Sequence, residues 1–182
     1  MLKPSDKWTW FYDDKDGHLM LDLGDDMLFR TNLERKWLVD YAFDTQQFSV
    51  DDATAYHHFK EQIMMLPLSE PRQAELALYC TAAKRFHKPV QPKSWFFDVQ
   101  HYQAPAVDTG TMVNLSNCHN SGVFIVLEAG ESASLVAYAG LEEFVLSGSK
   151  SLVFGQVIKV MHDRMQLVPM VLYSTANYAL VG

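Results

Sequence analysis

The order of helical and strand patterns along the chain constrains its fold more than any other feature of the sequence. Alternating apolar residues predict strands in residues 7–29, apolar residues at three- and four-residue spacing predict helices up to residue 93, and short alternating runs predict strands beyond it. The segment 89–92 contains two prolines, each of which disfavours helix at the residue before it. We therefore expect an α+β fold with a linker at this segment.

The first 93 residues predict a small α/β domain. Residues 8–12 and 18–23 alternate in polarity around the turn-forming segment 13–17, which predicts a hairpin, and residues 27–29 predict a third strand. A first helix is expected to begin near residue 50 and to end at Pro67. A second helix is expected to begin at Ser69, a good N-cap residue, with Pro71 in its first turn.

Residues 94–182 predict a second domain that is rich in strands. Short apolar or alternating runs are separated by clusters of Gly, Asn and Asp, a pattern typical of a small antiparallel barrel or sandwich. The predicted strands are 95–99, 112–115, 123–127, 134–138, 144–146, 151–154, 157–161 and 167–172. The predicted architecture is thus an N-terminal α/β domain, residues 1–93, followed by a barrel-like domain, residues 94–182.

Composition narrows the class of protein. An apolar share of 48% and a charged share of 20% are sufficient for a packed core. The formal net charge of −7 argues against a general nucleic-acid binder. Cys80 and Cys118 are far apart and belong to no CxxC motif, which argues against a disulfide framework and a zinc site. Without an apolar run of about 18 residues or an apolar segment near the N-terminus, we expect a cytoplasmic protein with no membrane contact.

No established catalytic or cofactor-binding motif occurs in the sequence, so we expect neither an enzyme nor a bound cofactor. Cys118 beside His119 is the one adjacency of a cysteine and a histidine. Catalytic Cys–His pairs meet across a fold rather than along the chain, and Asn117, Asn120 and Gly122 indicate a loop here. A small-molecule-binding or hydrolytic β-barrel protein that uses this loop is the alternative function.

The densest basic cluster comprises Lys84, Arg85, Lys88 and Lys93 in an otherwise acidic chain. It can be a solvated helix end, stabilised by the negative end of the helix dipole. It can also be a docking patch for a carboxylate-bearing partner, since a local positive field steers association. A nucleic-acid adaptor is a third interpretation of the same residues.

Four stretches of the sequence together resemble the ZapC family of bacterial cell-division proteins. They are KPSDKWTWFYDD, HLMLDLGDDMLFRTNL, HKPVQPKSW and VIKVMHDRM, and the resemblance extends from the first residues to about Met165. It implies a two-domain protein that associates with FtsZ, the tubulin-like GTPase of the division ring at midcell, through contacts that include the FtsZ C-terminal tail peptide. It further implies a non-enzymatic regulator that promotes lateral association of FtsZ protofilaments and lowers their GTPase activity.

The resemblance also implies partner-binding residues. Lys88 and Lys93 in HKPVQPKSW and Arg164 in MHDRM match basic positions of the family, and Leu21 in HLMLDL matches an apolar position that lines an N-terminal pocket. From the residues alone, Lys88 can also be part of a helix end, and Arg164 can pair with Asp163 on the surface. Leu21 can equally be a core residue.

Overall fold

The computed structural model describes residues 2–169 and begins with an antiparallel sheet. Its strands are β1 (Thr9–Asp13), β2 (His18–Gly24), β3 (Met27–Glu34) and β4 (Gln46–Gln47), in the order β3-β2-β1-β4. The predicted hairpin and third strand are confirmed, whereas β4 was not predicted. Asp25 and Asp26 both have positive φ, 52° and 61°, in the tight turn between β2 and β3, a conformation that Asp tolerates better than most residues.

Both predicted helices are present, as α1 (Val50–Ile63) and α2 (Glu70–Phe86). At the start of α1, Ser49 and Asp52 form a capping box in which each side chain accepts a hydrogen bond from the other residue's backbone N–H. At the start of α2, the Ser69 side chain accepts a bond from the Arg72 N–H. These caps confirm the predicted helix starts.

The C-terminal half forms a five-stranded antiparallel sheet and a separate two-stranded sheet. Its strands are β5 (Met112–Ser116), β6 (Ser121–Ala129), β7 (Ala133–Tyr138), β8 (Phe144–Ser147), β9 (Lys150–Leu152), β10 (Val157–Met161) and β11 (Gln166–Leu167). The larger sheet has the order β10-β7-β6-β5-β11, and β8 pairs with β9. The α+β class is confirmed. The barrel-like closure is not observed, because β10 and β11 lie at opposite edges of an open sheet.

One predicted strand is wrong, and another lies partly outside the described residues. Residues 95–99 do not form a strand; Ser94–Phe96 is a single 3-10 turn. The Ser94 side chain accepts a hydrogen bond from the Met161 N–H, and Trp95 points outward with 70% of its surface exposed. Of the predicted strand 167–172, Leu167 is in β11, and residues 170–172 lie outside the described residues.

The larger sheet is buried on both faces. Ile125 and Ala137 lie on the face that packs in a core with the helices and the first sheet, whereas Phe124 and Val136 contribute to a second core. This two-sided burial explains the uninterrupted apolar run in β6. The predicted division at residue 93 therefore separates the two large sheets, while the first core contains residues from both sides of it. No helix within residues 2–169 has the length and apolar character needed to cross a membrane.

Candidate partner-binding cleft

A cleft of about 730 Å³ lies between the N-terminal and C-terminal sheets. One wall comes from the second half of β3, at Thr31 and Leu33, and the opposite wall comes from β10, at Val157 and Lys159. Its volume is in the range of cavities that bind small ligands or short peptide segments.

The linker between the two halves forms part of the cleft. At its start, the Lys88 N–H donates to the Trp37 carbonyl over 2.8 Å, and at its end the Lys93 N–H donates to the Lys159 carbonyl over 2.9 Å. His87 stacks on Trp37 with their ring centroids 5.8 Å apart. Backbone hydrogen bonds therefore hold the linker to the turn that follows β3 and to β10, and the linker carries Lys88 and Lys93 to the cleft.

The cleft is strongly basic. Five lysines line it, and among the described residues no Asp or Glu does. These lysines are Lys36, Lys88, Lys93, Lys150 and Lys159. Only Lys36 has a carboxylate within 4 Å in the described part of the chain, and that contact, with Glu34, is long at 3.9 Å. Such an arrangement attracts anionic groups despite the acidic balance of the whole chain.

Aromatic rings lie beneath several of these charges. The Nζ atoms of Lys36 and Lys93 are 5.2 and 5.9 Å from the centre of the Trp37 ring. Lys150 Nζ lies 5.9 Å from the centre of the Phe96 ring. Cation–π contacts of this kind hold ammonium groups near a surface while leaving them open to water. The cleft thus combines positive charge with apolar surface.

His87, at the end of α2, is the histidine in the cleft wall among the described residues. Burial lowers its pKa below the ordinary value. Its Nδ1 atom lies 2.7 Å from the Lys88 carbonyl oxygen, which accepts a bond from a ring N–H. The cleft therefore gains its positive charge at neutral pH from the lysines rather than from this histidine.

The structure brings together two of the four predicted binding residues. Lys88 and Lys93, which the resemblance matches to basic positions of the family, both line the cleft. Arg164 does not line it; its guanidinium donates to the carbonyls of Ser94 and Phe97, at 3.2 and 2.8 Å, and to Asp163. In this structure Arg164 stabilises the 3-10 turn Ser94–Phe96, which follows the linker.

Leu21 lies in the first core and has no exposed surface. It is in β2, directly opposite Trp10 of β1. Of the two interpretations that the sequence left open, core residue or pocket wall, this burial matches the first. Its assignment to partner binding, like those of Lys88, Lys93 and Arg164, stays a prediction.

Sequence reasoning missed three of the five cleft lysines. Lys36 follows β3, and Lys150 and Lys159 lie in β9 and β10, so no local cluster links them to residues 84–93. The scarcity of basic residues in the C-terminal half is the one sequence feature that could have pointed to Lys150 and Lys159. Apart from Arg164, Lys150 and Lys159 are the only basic residues after Lys93.

Two other places in residues 2–169 combine a histidine with a cysteine or a serine. Cys118 and His119 are both exposed, in a loop where the Asn117 side chain accepts bonds from the backbone N–H groups of His119 and Asn120. A buried Ser–His contact, Ser134 Oγ to His162 Nε2 at 2.7 Å, joins β7 to the turn after β10. Ser134 is fully buried, so a substrate has no access to its hydroxyl. Within residues 2–169, no group of three or more His, Cys, Asp or Glu residues is placed to hold a metal ion.

Comparison with known proteins identifies a class of cell-division proteins. The family model described as "Cell-division protein ZapC, N-terminal" matches residues 1–88, and the one described as "Cell-division protein ZapC, C-terminal" matches residues 89–170. The chain therefore belongs to the ZapC family of cell-division proteins, which confirms the resemblance noted in its sequence.

Several relatives carry the same description, Cell division protein ZapC. The protein from Vibrio cholerae serotype O1 is 63% identical over 182 residues, which cover all of both chains. That from Vibrio vulnificus is 61% identical over 167 residues, or 91% of each chain. That from Aliivibrio salmonicida is 50% identical over 185 residues, with complete coverage of both chains. The comparisons therefore support a role in cell division.

Proposed function

We propose that this chain is a non-enzymatic, cytoplasmic regulator of cell division that binds FtsZ directly at the division ring. In this proposal it promotes lateral association of FtsZ protofilaments and lowers their GTPase activity. The observation that supports it is the cleft between the two sheets, where five lysines and two aromatic rings converge in an otherwise acidic protein. Its natural ligand is a carboxylate-bearing peptide, and the C-terminal tail of FtsZ carries at least its terminal carboxylate.

The effect on FtsZ follows from mass action. A protein that binds polymerised FtsZ more tightly than free subunits shifts the equilibrium toward polymer. Bundling additionally needs two FtsZ contacts per regulator, supplied by two patches on one chain or by self-association. GTPase activity decreases if bundled filaments exchange their subunits more slowly.

Co-sedimentation with FtsZ and GTP tests this proposal. The double variant Lys88→Glu, Lys93→Glu places two negative charges in the cleft, and we expect it to lose most of its pelleting with polymer. Each reversal weakens binding by about 1–3 kcal/mol where the charge is desolvated and by much less at the rim.

The matched control is the double variant Lys7→Glu, Lys84→Glu, which makes the same change in net charge at two exposed lysines outside the cleft. We expect it to pellet like the unmodified protein, and circular dichroism should show that both variants are folded. Equal pelleting of the cleft variant and the unmodified protein would discard the cleft as the FtsZ site.

A further inference from the structure

The cleft is bounded by the edges of two sheets, and these edges indicate how a peptide is held. β3 is the terminal strand of the first sheet, and β10 is the terminal strand of the five-stranded sheet. The free edge of a strand presents backbone N–H and C=O groups that can pair with another chain. Several peptide-binding domains use such an edge to bind an extended ligand as an additional strand.

The pairing of β10 with β7 shows which of its backbone groups point into the cleft. The two strands are antiparallel, with Val157 opposite Ala137 and Lys159 opposite Leu135. One residue before β10, the Gln156 carbonyl accepts a bond from the Tyr138 N–H on the β7 side, over 2.8 Å. Because backbone groups alternate in direction along an antiparallel strand, Val157 and Lys159 direct theirs away from β7.

Two contacts of the linker agree with this alternation. The Lys159 carbonyl accepts from the Lys93 N–H on the outer edge, and the Met161 N–H donates to Ser94 Oγ on the same edge. The chain around Lys93 thus already occupies the second half of the β10 edge. The first half is open: the N–H and C=O of Val157 and the N–H of Lys159 have no hydrogen-bond partner among residues 2–169.

We propose that the cleft binds an extended, carboxylate-bearing peptide as an added strand on the free half of β10. The peptide backbone bonds to Val157 and to the Lys159 N–H, while its carboxylates lie among the lysines and an apolar side chain lies against Trp37 or Phe96. Charge complementarity selects the anionic partner, and the strand edge fixes its extended conformation. This inference rests on the proposed function, which supplies the FtsZ tail as the ligand.

N-methylation of the ligand tests the backbone pairing. A synthetic peptide of the FtsZ tail is titrated into the full-length protein and compared with a series in which one backbone amide at a time is methylated. Among residues 2–169 the Val157 carbonyl is the one free acceptor on this half of the edge. We therefore expect a single methylated position to weaken binding by about tenfold or more. The adjacent positions, whose amides point away from β10, serve as matched controls.

Amide hydrogen exchange of the protein gives an independent measurement. Adding the unmodified peptide is expected to slow exchange at the Val157 and Lys159 amides, while the Ile158 amide, which faces β7, keeps its rate. If the peptide instead binds tightly, tolerates methylation at every position and leaves both exchange rates unchanged, strand pairing is overturned but the proposed function stays intact. That is the result that a helical ligand would give. If the unmodified peptide does not bind, both the strand pairing and the tail contact are overturned.

Discussion

Arg85 in the last turn of α2 forms an ion pair with Asp52 in the first turn of α1, with 2.5 Å between the guanidinium Nη1 and the carboxylate Oδ2. The carboxylate is almost completely buried, and it also accepts bonds from Trp10 Nε1 and from the backbone N–H of Ser49. One side chain thereby links β1 and both helices. The ion pair also gives Arg85 a structural role. Arg85 belongs to the basic sequence cluster but does not line the cleft.

Replacing Asp52 with alanine is expected to lower the free energy of unfolding by roughly 2–4 kcal/mol, because the change removes a cap and leaves buried donors without an acceptor. Urea denaturation measures the loss. The control is Asp51→Ala, one residue away but exposed, for which we expect a loss of less than about 1 kcal/mol. Equal losses in the two variants would contradict the linking role of Asp52.

Leu21→Arg is expected to unfold or severely destabilise the protein, with a loss of more than about 4 kcal/mol, because it buries an unpaired charge. Leu28→Arg is the matched control, since Leu28 of β3 is 55% exposed, and its melting temperature should change little. Thermal melts of both variants check the expectation. A Leu21→Arg variant with native melting and no affinity for FtsZ would instead support the pocket interpretation.

Arg164→Ala is expected to cost about 1–3 kcal/mol, since the guanidinium donates to the carbonyls of two buried residues, Ser94 and Phe97. Asp163→Ala removes only the exposed partner of the same arginine and should cost less than about 1 kcal/mol. Chemical denaturation of the two variants compares these costs. If Arg164→Ala keeps full stability but binds FtsZ poorly, the residue acts in binding rather than in holding the turn.

Stability should decrease on acidification. Burial lowers the pKa of His87 and of His162, so between the folded and unfolded pKa values the unfolded chain binds more protons. The contribution of each histidine is then fully present above about pH 6.5 and is lost as the pH falls toward the folded value. Unfolding free energies at about pH 7.5 and about pH 5.5 measure this loss. His87→Gln should reduce the difference in unfolding free energy between the two pH values. If that difference is unchanged in both His87→Gln and His162→Gln, these histidines are not its source.

The parts of the fold that are determined by residues close together in the sequence could be predicted. The caps at Ser49 and Ser69 and the turn at residues 13–17 are set within a few positions of the chain, so the hairpin and the starts of both helices were predicted correctly. The end of α1 was not, since the helix ends at Ile63 rather than at Pro67. Residues 95–99 are a short, mainly apolar run typical of a strand, yet long-range bonds from Arg164 and Met161 hold Ser94–Phe96 in a 3-10 turn. The sequence around residues 94–99 gives no indication of these bonds, because their donors lie about 70 residues further along the chain.

Only two of the five cleft lysines were predicted from the sequence, for the same reason. Lys88 and Lys93 are close in sequence and were assigned together, whereas Lys36 and Lys150 reach the cleft only through the packing of the two sheets. Leu21 is an instance of the opposite problem. An alternating strand identifies its face, but whether that face contacts a core or a partner depends on the helices that cover it.

The core that contains residues of both halves has an evolutionary consequence. Recombination that exchanged either half for an unrelated domain would leave the apolar face around Ile125 and Ala137, or the helices that pack with it, open to water. It would also divide the lysines of the cleft between two proteins. The halves therefore cannot act as interchangeable modules, and we expect genes of this kind to carry the two segments as one inherited unit.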